Sequence, residues 1–218
     1  PQGRALMDPD FWHDRWQTNK IAFHEKNGNP LLVKHLDVLA LPPGGRVFVP
    51  LCGKTLDIGW LLSQGFRVVG VELVESAIVQ LFDELGMTPQ INRDGPLMCY
   101  RADNLDIFVG DFFALSQTVL GPVDAVFDRA AYVALPAEMR PRYGAHLMAI
   151  TGAARQMLLT FEYDQTQMDG PPFSVEADEV AARYGDRFVV TLIDRVEIRG
   201  GLKGLVPATA AVWLLVAK

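Results

Sequence analysis

A chain of 218 residues, half of them hydrophobic, carries enough apolar material for one sizeable core rather than two small ones. Its net charge of −6 argues against a nucleic-acid partner, which needs clustered Lys and Arg. Two cysteines, Cys52 and Cys99, require no disulfide framework, and no apolar run reaches the ~18–20 residues of a membrane span. A single cytoplasmic domain over residues 7–218 with no membrane partner is therefore expected; a monomer with a small-molecule substrate is a separate expectation, not one that composition supplies. Pro1 to Leu6 reads as an extension ahead of a natural start at Met7, and no basic stretch followed by a long apolar core marks a secretory signal.

Near the N-terminus, Trp12 and Trp16 lie one helical turn apart, a spacing that by itself favours a core pair. Val47–Val49 is a short buried-type strand, Pro50–Gly53 a turn, and Lys54 onwards a helix with Leu56, Trp60, Leu61 and Leu62 on its apolar face. Val68–Val71 is a second strand, ending on Glu72. A helix follows over 75–85, closed by Gly86. Leu97–Arg101 and Leu105–Val109 flank a short polar turn and predict a hairpin that runs into Gly110-Asp111. Val123–Phe127 is a strand ending on Asp128-Arg129, and a helix is predicted from Pro136 to Ile150. Arg155–Tyr163 is an apolar strand, 164–172 a Gly/Pro-rich loop and 175–184 a helix. Phe188–Ile198 and Ala210–Val216 close the chain as two strands joined by a glycine-rich loop.

Strands alternating with helices predict an α/β, doubly wound, mostly parallel sheet with an antiparallel C-terminal strand pair. Ligands of such folds lie at the carboxyl ends of the strands, where Gly53, Glu72, Asp111 and Asp128-Arg129 should converge. Glu72, about 20 residues beyond the first turn, is placed to accept both O–H donors of a ribose. Cys52-Gly-Lys-Thr55 is not a phosphate-cradling loop, because Phe48 stands where its first glycine belongs. G-x-G-x-x-G is also missing, and Leu51 and Cys52 crowd the turn where a pyrophosphate would approach. An adenosine cofactor without phosphate remains, which points to S-adenosylmethionine (product S-adenosylhomocysteine), with its adenine near Asp111 and Phe112. His13, His24, His35 and His146 show no metal spacing, and Cys52 has no nearby base in sequence, so no metal and no catalytic dyad are expected.

From Met7 onwards the chain resembles the bacterial thiopurine S-methyltransferases, class I S-adenosylmethionine-dependent enzymes with a Rossmann-like, seven-stranded-type sheet. The likeness rests on Phe11-Trp-His-Asp-Arg-Trp16 with Phe23-His24, on Pro50-Leu-Cys-Gly-Lys54 and on Gly70-Val-Glu-Leu73. Gly110-Asp-Phe-Phe113, Asp128-Arg-Ala-Ala131 and the loop ending in Gly170-Pro-Pro-Phe173 complete it. The resemblance implies that residues 7–40 form a lid over the cofactor, and that Trp16, Leu51, Glu72 and Arg129 contact it, with Trp12 and Asp111 as further contacts. It implies methyl transfer to the thiolate of a thiopurine or similar small aromatic thiol; our own expectation is that the heterocycle lies between Phe23, Phe173 and the end of the strand Val123–Phe127, with Arg129 and Arg199 favouring the anion. The loop 197–208 fits the family least well. Three alternatives stay open: inorganic selenium or tellurium acceptors (a detoxification role), a non-catalytic S-adenosylmethionine-binding protein, and a nicotinamide oxidoreductase.

Overall fold

A computed structural model describes residues 28–218; Trp12, Trp16, Phe23 and His24 lie outside the described residues. The strands are β1 (Arg46–Val49), β2 (Arg67–Glu72), β3 (Gln90–Asp94), β4 (Leu97–Ala102), β5 (Leu105–Val109), β6 (Ala125–Asp128), β7 (Arg155–Glu162), β8 (Phe188–Glu197) and β9 (Thr209–Ala217). They form one sheet in the order β3-β4-β5-β2-β1-β6-β7-β9-β8. The five strands from β5 to β7 in that order are parallel. The reversed pair β9 and β8 flanks them on one side, and β4 and β3 extend the sheet antiparallel on the other.

The helices are α1 (Pro30–His35), α2 (Leu56–Ser63), α3 (Glu75–Glu84), α4 (Gln117–Leu120), α5 (Arg140–Thr151) and α6 (Ala177–Tyr184). β1 and β6 read as continuous apolar runs because a parallel sheet covered by helices is dry on both faces. Alternate side chains then go to opposite cores. Phe48, Val69, Val71, Val126 and Leu158 pack with Tyr143, Leu147 and Val180 of α5 and α6 on one face. Val47, Val49, Val68, Phe127 and Leu159 pack on the other with Leu32, Ile58, Leu61, Ile78 and Phe82 of α1, α2 and α3.

Four local boundaries differ from the sequence reading. α2 begins at Leu56 rather than Lys54, because the Thr55 hydroxyl caps the Asp57 amide. α5 begins at Arg140 rather than Pro136; residues 136–139 make a tight turn in which the Met139 amide bonds the Pro136 carbonyl at 2.9 Å. α6 begins at Ala177 because the Val175 amide is held by the Phe161 carbonyl of β7 at 2.8 Å. Within the segment read as a lid, α1 and the 3₁₀ turn Leu36–Leu39 bury Leu32 and Leu39 in the core. Residues 30–39 are body, not cover.

Among the described residues no helix is long and apolar enough to cross a membrane, and no group of His, Cys, Asp and Glu is arranged to hold a metal ion.

Candidate active site at the carboxyl ends of the central strands

β1, β2, β5 and β6 run in one direction and release their loops at one edge, so topology alone brings the first turn, Glu72, Asp111 and Arg129 together. The turn after β1 bends back across β2. The Cys52 amide donates to the Val71 carbonyl at 3.0 Å, which presses the Cys52 thiol against Gly70. A Cβ on Gly70 would lie 2.9 Å from Cys52 Sγ and 2.8 Å from Ile107 Cδ1, so a glycine inside this strand is required by close approach. Burial, reinforced by the charge of Glu72, pushes the Cys52 thiol well up. A thiol held protonated is no nucleophile.

Glu72 is buried and closes the turn. One carboxylate oxygen accepts from the Gly53 amide at 2.8 Å and the other from the Val74 amide at 3.0 Å. Two backbone donors, one on each oxygen, fix the plane of this carboxylate at the end of β2. Leu51 sits in the same turn at φ +47, and Ala130, beside Arg129, at φ +63. Both are non-glycine residues held in the sparsely populated left-handed region. Lys54 does not enter the turn. Its ammonium reaches Glu84 on α3 at 2.8 Å, so the turn offers no lysine to a phosphate.

Arg129 is mostly buried, with Nη1 3.5 Å from Asp57 Oδ2 and 3.4 Å from Thr55 Oγ1. Asp57, in the first turn of α2, also accepts the Asn29 amide and the Thr55 hydroxyl. The first described residues therefore land on the rim of this crevice. Asp57 was not singled out in the sequence; only its place in the first turn of a helix opposite a strand-end arginine could have marked it. The neighbouring Asp128 makes no pair with Arg129. It turns into the core, is fully buried, and accepts from the Tyr132 amide at 3.0 Å and the Tyr143 hydroxyl at 2.7 Å. Desolvation raises its carboxyl to about 6, against lowering by these hydrogen bonds.

Val109 pairs with Glu72, and the Gly110 amide donates to the Glu72 carbonyl at 2.9 Å, so Asp111 emerges beside the first turn. Its exposed carboxylate caps the Phe113 amide at 2.9 Å. Phe112, expected near the adenine, has a buried ring packed against Tyr143 and His146, each at 5.0 Å between centroids. His146 Nε2 lies 3.1 and 3.0 Å from the carbonyls of Phe112 and Leu115; with two acceptors before it, that nitrogen carries the proton and pins the turn.

The second wall comes from the loop after β7. The Tyr163 hydroxyl donates to the Pro172 carbonyl at 2.7 Å and Lys203, from the β8–β9 loop, to the Pro171 carbonyl at 2.6 Å. The half-buried Phe173 is held by its amide on the Val133 carbonyl at 2.7 Å, and its ring covers Gly170, where a Cβ would lie 2.7 Å from Phe173 Cδ1. Behind it, Arg140 Cζ stands 5.6 Å from the ring centroid, and Nη1 is bidentate to Glu179 at 2.9 and 2.7 Å. Arg199 is exposed on the β8–β9 loop, whose Leu202, Val206 and Ala208 pack on Phe161, Tyr163 and Met168. This loop is thus fastened to the loop of Phe173.

The donor set suits S-adenosylmethionine: a fixed carboxylate for a ribose diol, a guanidinium for a carboxylate, and a turn too crowded for phosphate. The fold is shared with solved methyltransferases. Burkholderia thailandensis 1,6-didemethyltoxoflavin-N1-methyltransferase, solved with 1,6-didemethyltoxoflavin and S-adenosylhomocysteine, superposes with a TM-score of 0.62 at 18% identity, over 98% of this chain and 88% of that one. TehB from Haemophilus influenzae gives 0.60 at 13%, over 96% and 67%. Fold and site together define a class I S-adenosylmethionine-dependent methyltransferase. More particularly, the chain belongs to the thiopurine S-methyltransferase family, whose profile matches residues 7–205. Thiopurine S-methyltransferases from Xanthobacter autotrophicus (55% identical, 96% of this chain and 99% of the relative) and Gluconobacter oxydans (44%, 96% and 95%) are similar over nearly their whole length.

Proposed function

We propose that this enzyme methylates the sulfur of a thiopurine or similar small aromatic thiol. What supports the proposal is the family match, together with Glu72 and Arg129 held at the strand ends and the loop of Phe173 tied down by several hydrogen bonds. When bound, S-adenosylmethionine supplies an activated methyl group whose thioether leaving group is already in place. The chain then has to align an acceptor and exclude water rather than break a bond.

In this reading Glu72 holds the ribose, Arg129 the carboxylate of the amino-acid end, and Leu51 and Asp111 flank the nucleoside. Trp12, Trp16 and Phe23 would cover the site; an indole face near a sulfonium contributes roughly 0.5–2 kcal/mol. Phe173 offers a flat apolar surface to a heterocycle, and Arg199 a cation that favours its thiolate. A thiolate needs little help from a base, consistent with the protonated Cys52 and the occupied Nε2 of His146.

Incubating the enzyme with S-adenosylmethionine and 6-mercaptopurine, and separating the products by mass spectrometry, tests the assignment. The S-methyl product is expected. An N-methyl product would overturn the sulfur acceptor, whereas methylation of selenite or tellurite alone would move the acceptor to inorganic chalcogens.

A further inference from the structure

Asp128 and Arg129 are adjacent at the end of β6 and point to opposite sides, the acid into the core and the base into the crevice. What separates them is a turn wrapped around the buried carboxylate. Oδ1 takes the Tyr132 amide at 3.0 Å, the Ala131 amide also bonds this carboxylate, and Oδ2 takes the Tyr143 hydroxyl at 2.7 Å. The residue in the middle, Ala130, is held at φ +63, a conformation sterically disfavoured for an alanine.

We propose that Asp128, braced by Tyr143, is the positioning residue that sets the Arg129 guanidinium in the cofactor crevice. Without the carboxylate, the amides of Ala131 and Tyr132 lose their acceptor and Ala130 relaxes to negative φ, which swings Arg129 away from Thr55 and Asp57. Tyr143 extends the same brace to the other side of the crevice, since the Phe112 ring packs on it at 5.0 Å. The inference rests on the proposed contact between Arg129 and the cofactor carboxylate.

The test compares two ligands by calorimetry: S-adenosylhomocysteine, which has the amino-acid carboxylate, and 5′-methylthioadenosine, which shares the nucleoside and thioether but lacks it. Arg129→Ala and Asp128→Ala should each weaken S-adenosylhomocysteine by about 10-fold or more, the range of a lost charge-assisted hydrogen bond, and leave 5′-methylthioadenosine within about twofold. Asp128→Asn, whose amide oxygen still accepts the turn, should restore most of the difference. If Asp128→Ala does not fold, Asp128→Ser, polar but too short to span the turn and Tyr143, carries the comparison. Equal weakening of both ligands by the Asp128 variants, or of neither, while Arg129→Ala stays selective, would overturn the positioning role alone. Non-selective loss in Arg129→Ala would remove the carboxylate contact and the positioning role with it.

Discussion

The Glu72 carboxylate and the Gly53 amide, 19 residues apart, meet at 2.8 Å and lock the turn after β1 to the end of β2. The residue best suited to bind ribose is therefore also a structural clasp. Glu72→Ala should weaken S-adenosylhomocysteine by roughly 1.5–3 kcal/mol and also lower the melting temperature, because the Gly53 and Val74 amides lose a buried acceptor. Glu72→Gln keeps one acceptor and should lose affinity with a smaller thermal shift. Unchanged calorimetric Kd in both variants would refute the ribose role.

Gly70 lies beneath the same turn. Gly70→Ala inserts a methyl group into the 2.8–2.9 Å gaps toward Ile107 and Cys52, and overpacking of this kind costs about 1–3 kcal/mol. Urea unfolding should show that loss, together with weaker cofactor binding as Cys52 pushes the turn outward. Wild-type stability would mean that β2 can shift without disturbing the turn.

The sequence conveyed the central strands well, because parallel strands covered on both faces must be continuously apolar, as in Val47–Val49 and Val68–Val71. It did not convey β3, Gln90–Asp94, whose residues are mostly exposed and which is held to β4 by backbone pairing and an exposed Asp94–Arg101 ion pair. Glu72 and Arg129 were legible from their strand-end positions. Asp57 and the inward turn of Asp128 were not, since both depend on which way a side chain leaves the backbone. The glycine at position 70 carried no readable reason until the Cys52 thiol was seen against it.

Asp128 gives a pH signature of defined sign. Its carboxyl is raised in the folded state to about 6 from an ordinary 3.8, so the native state prefers the protonated form. Its favourable contribution is complete below about pH 4 and is lost as pH rises through 6, on the order of 2–3 kcal/mol. The stability of wild type relative to Asp128→Asn should therefore fall between pH 4 and pH 7 in denaturant titrations. A difference independent of pH would contradict the raised value.

Arg140 is almost wholly buried and depends on Glu179. Glu179→Ala leaves that cation without its carboxylate and should cost roughly 2–4 kcal/mol, somewhat below a fully buried pair because Glu179 is partly exposed. Since Arg140 backs the Phe173 ring, the thiol KM should rise while cofactor Kd stays constant. An unchanged KM in folded protein would detach this pair from acceptor binding.

The central claim is tested most directly by following labelled methyl from S-adenosylmethionine to 6-mercaptopurine, with selenite and tellurite in parallel. Saturable transfer to the thiol, needing about 10-fold or more S-adenosylmethionine in Arg129→Ala, is the predicted result. Tight cofactor binding with no transfer to any of the three would contradict it and leave a protein that binds S-adenosylmethionine without methylating these acceptors.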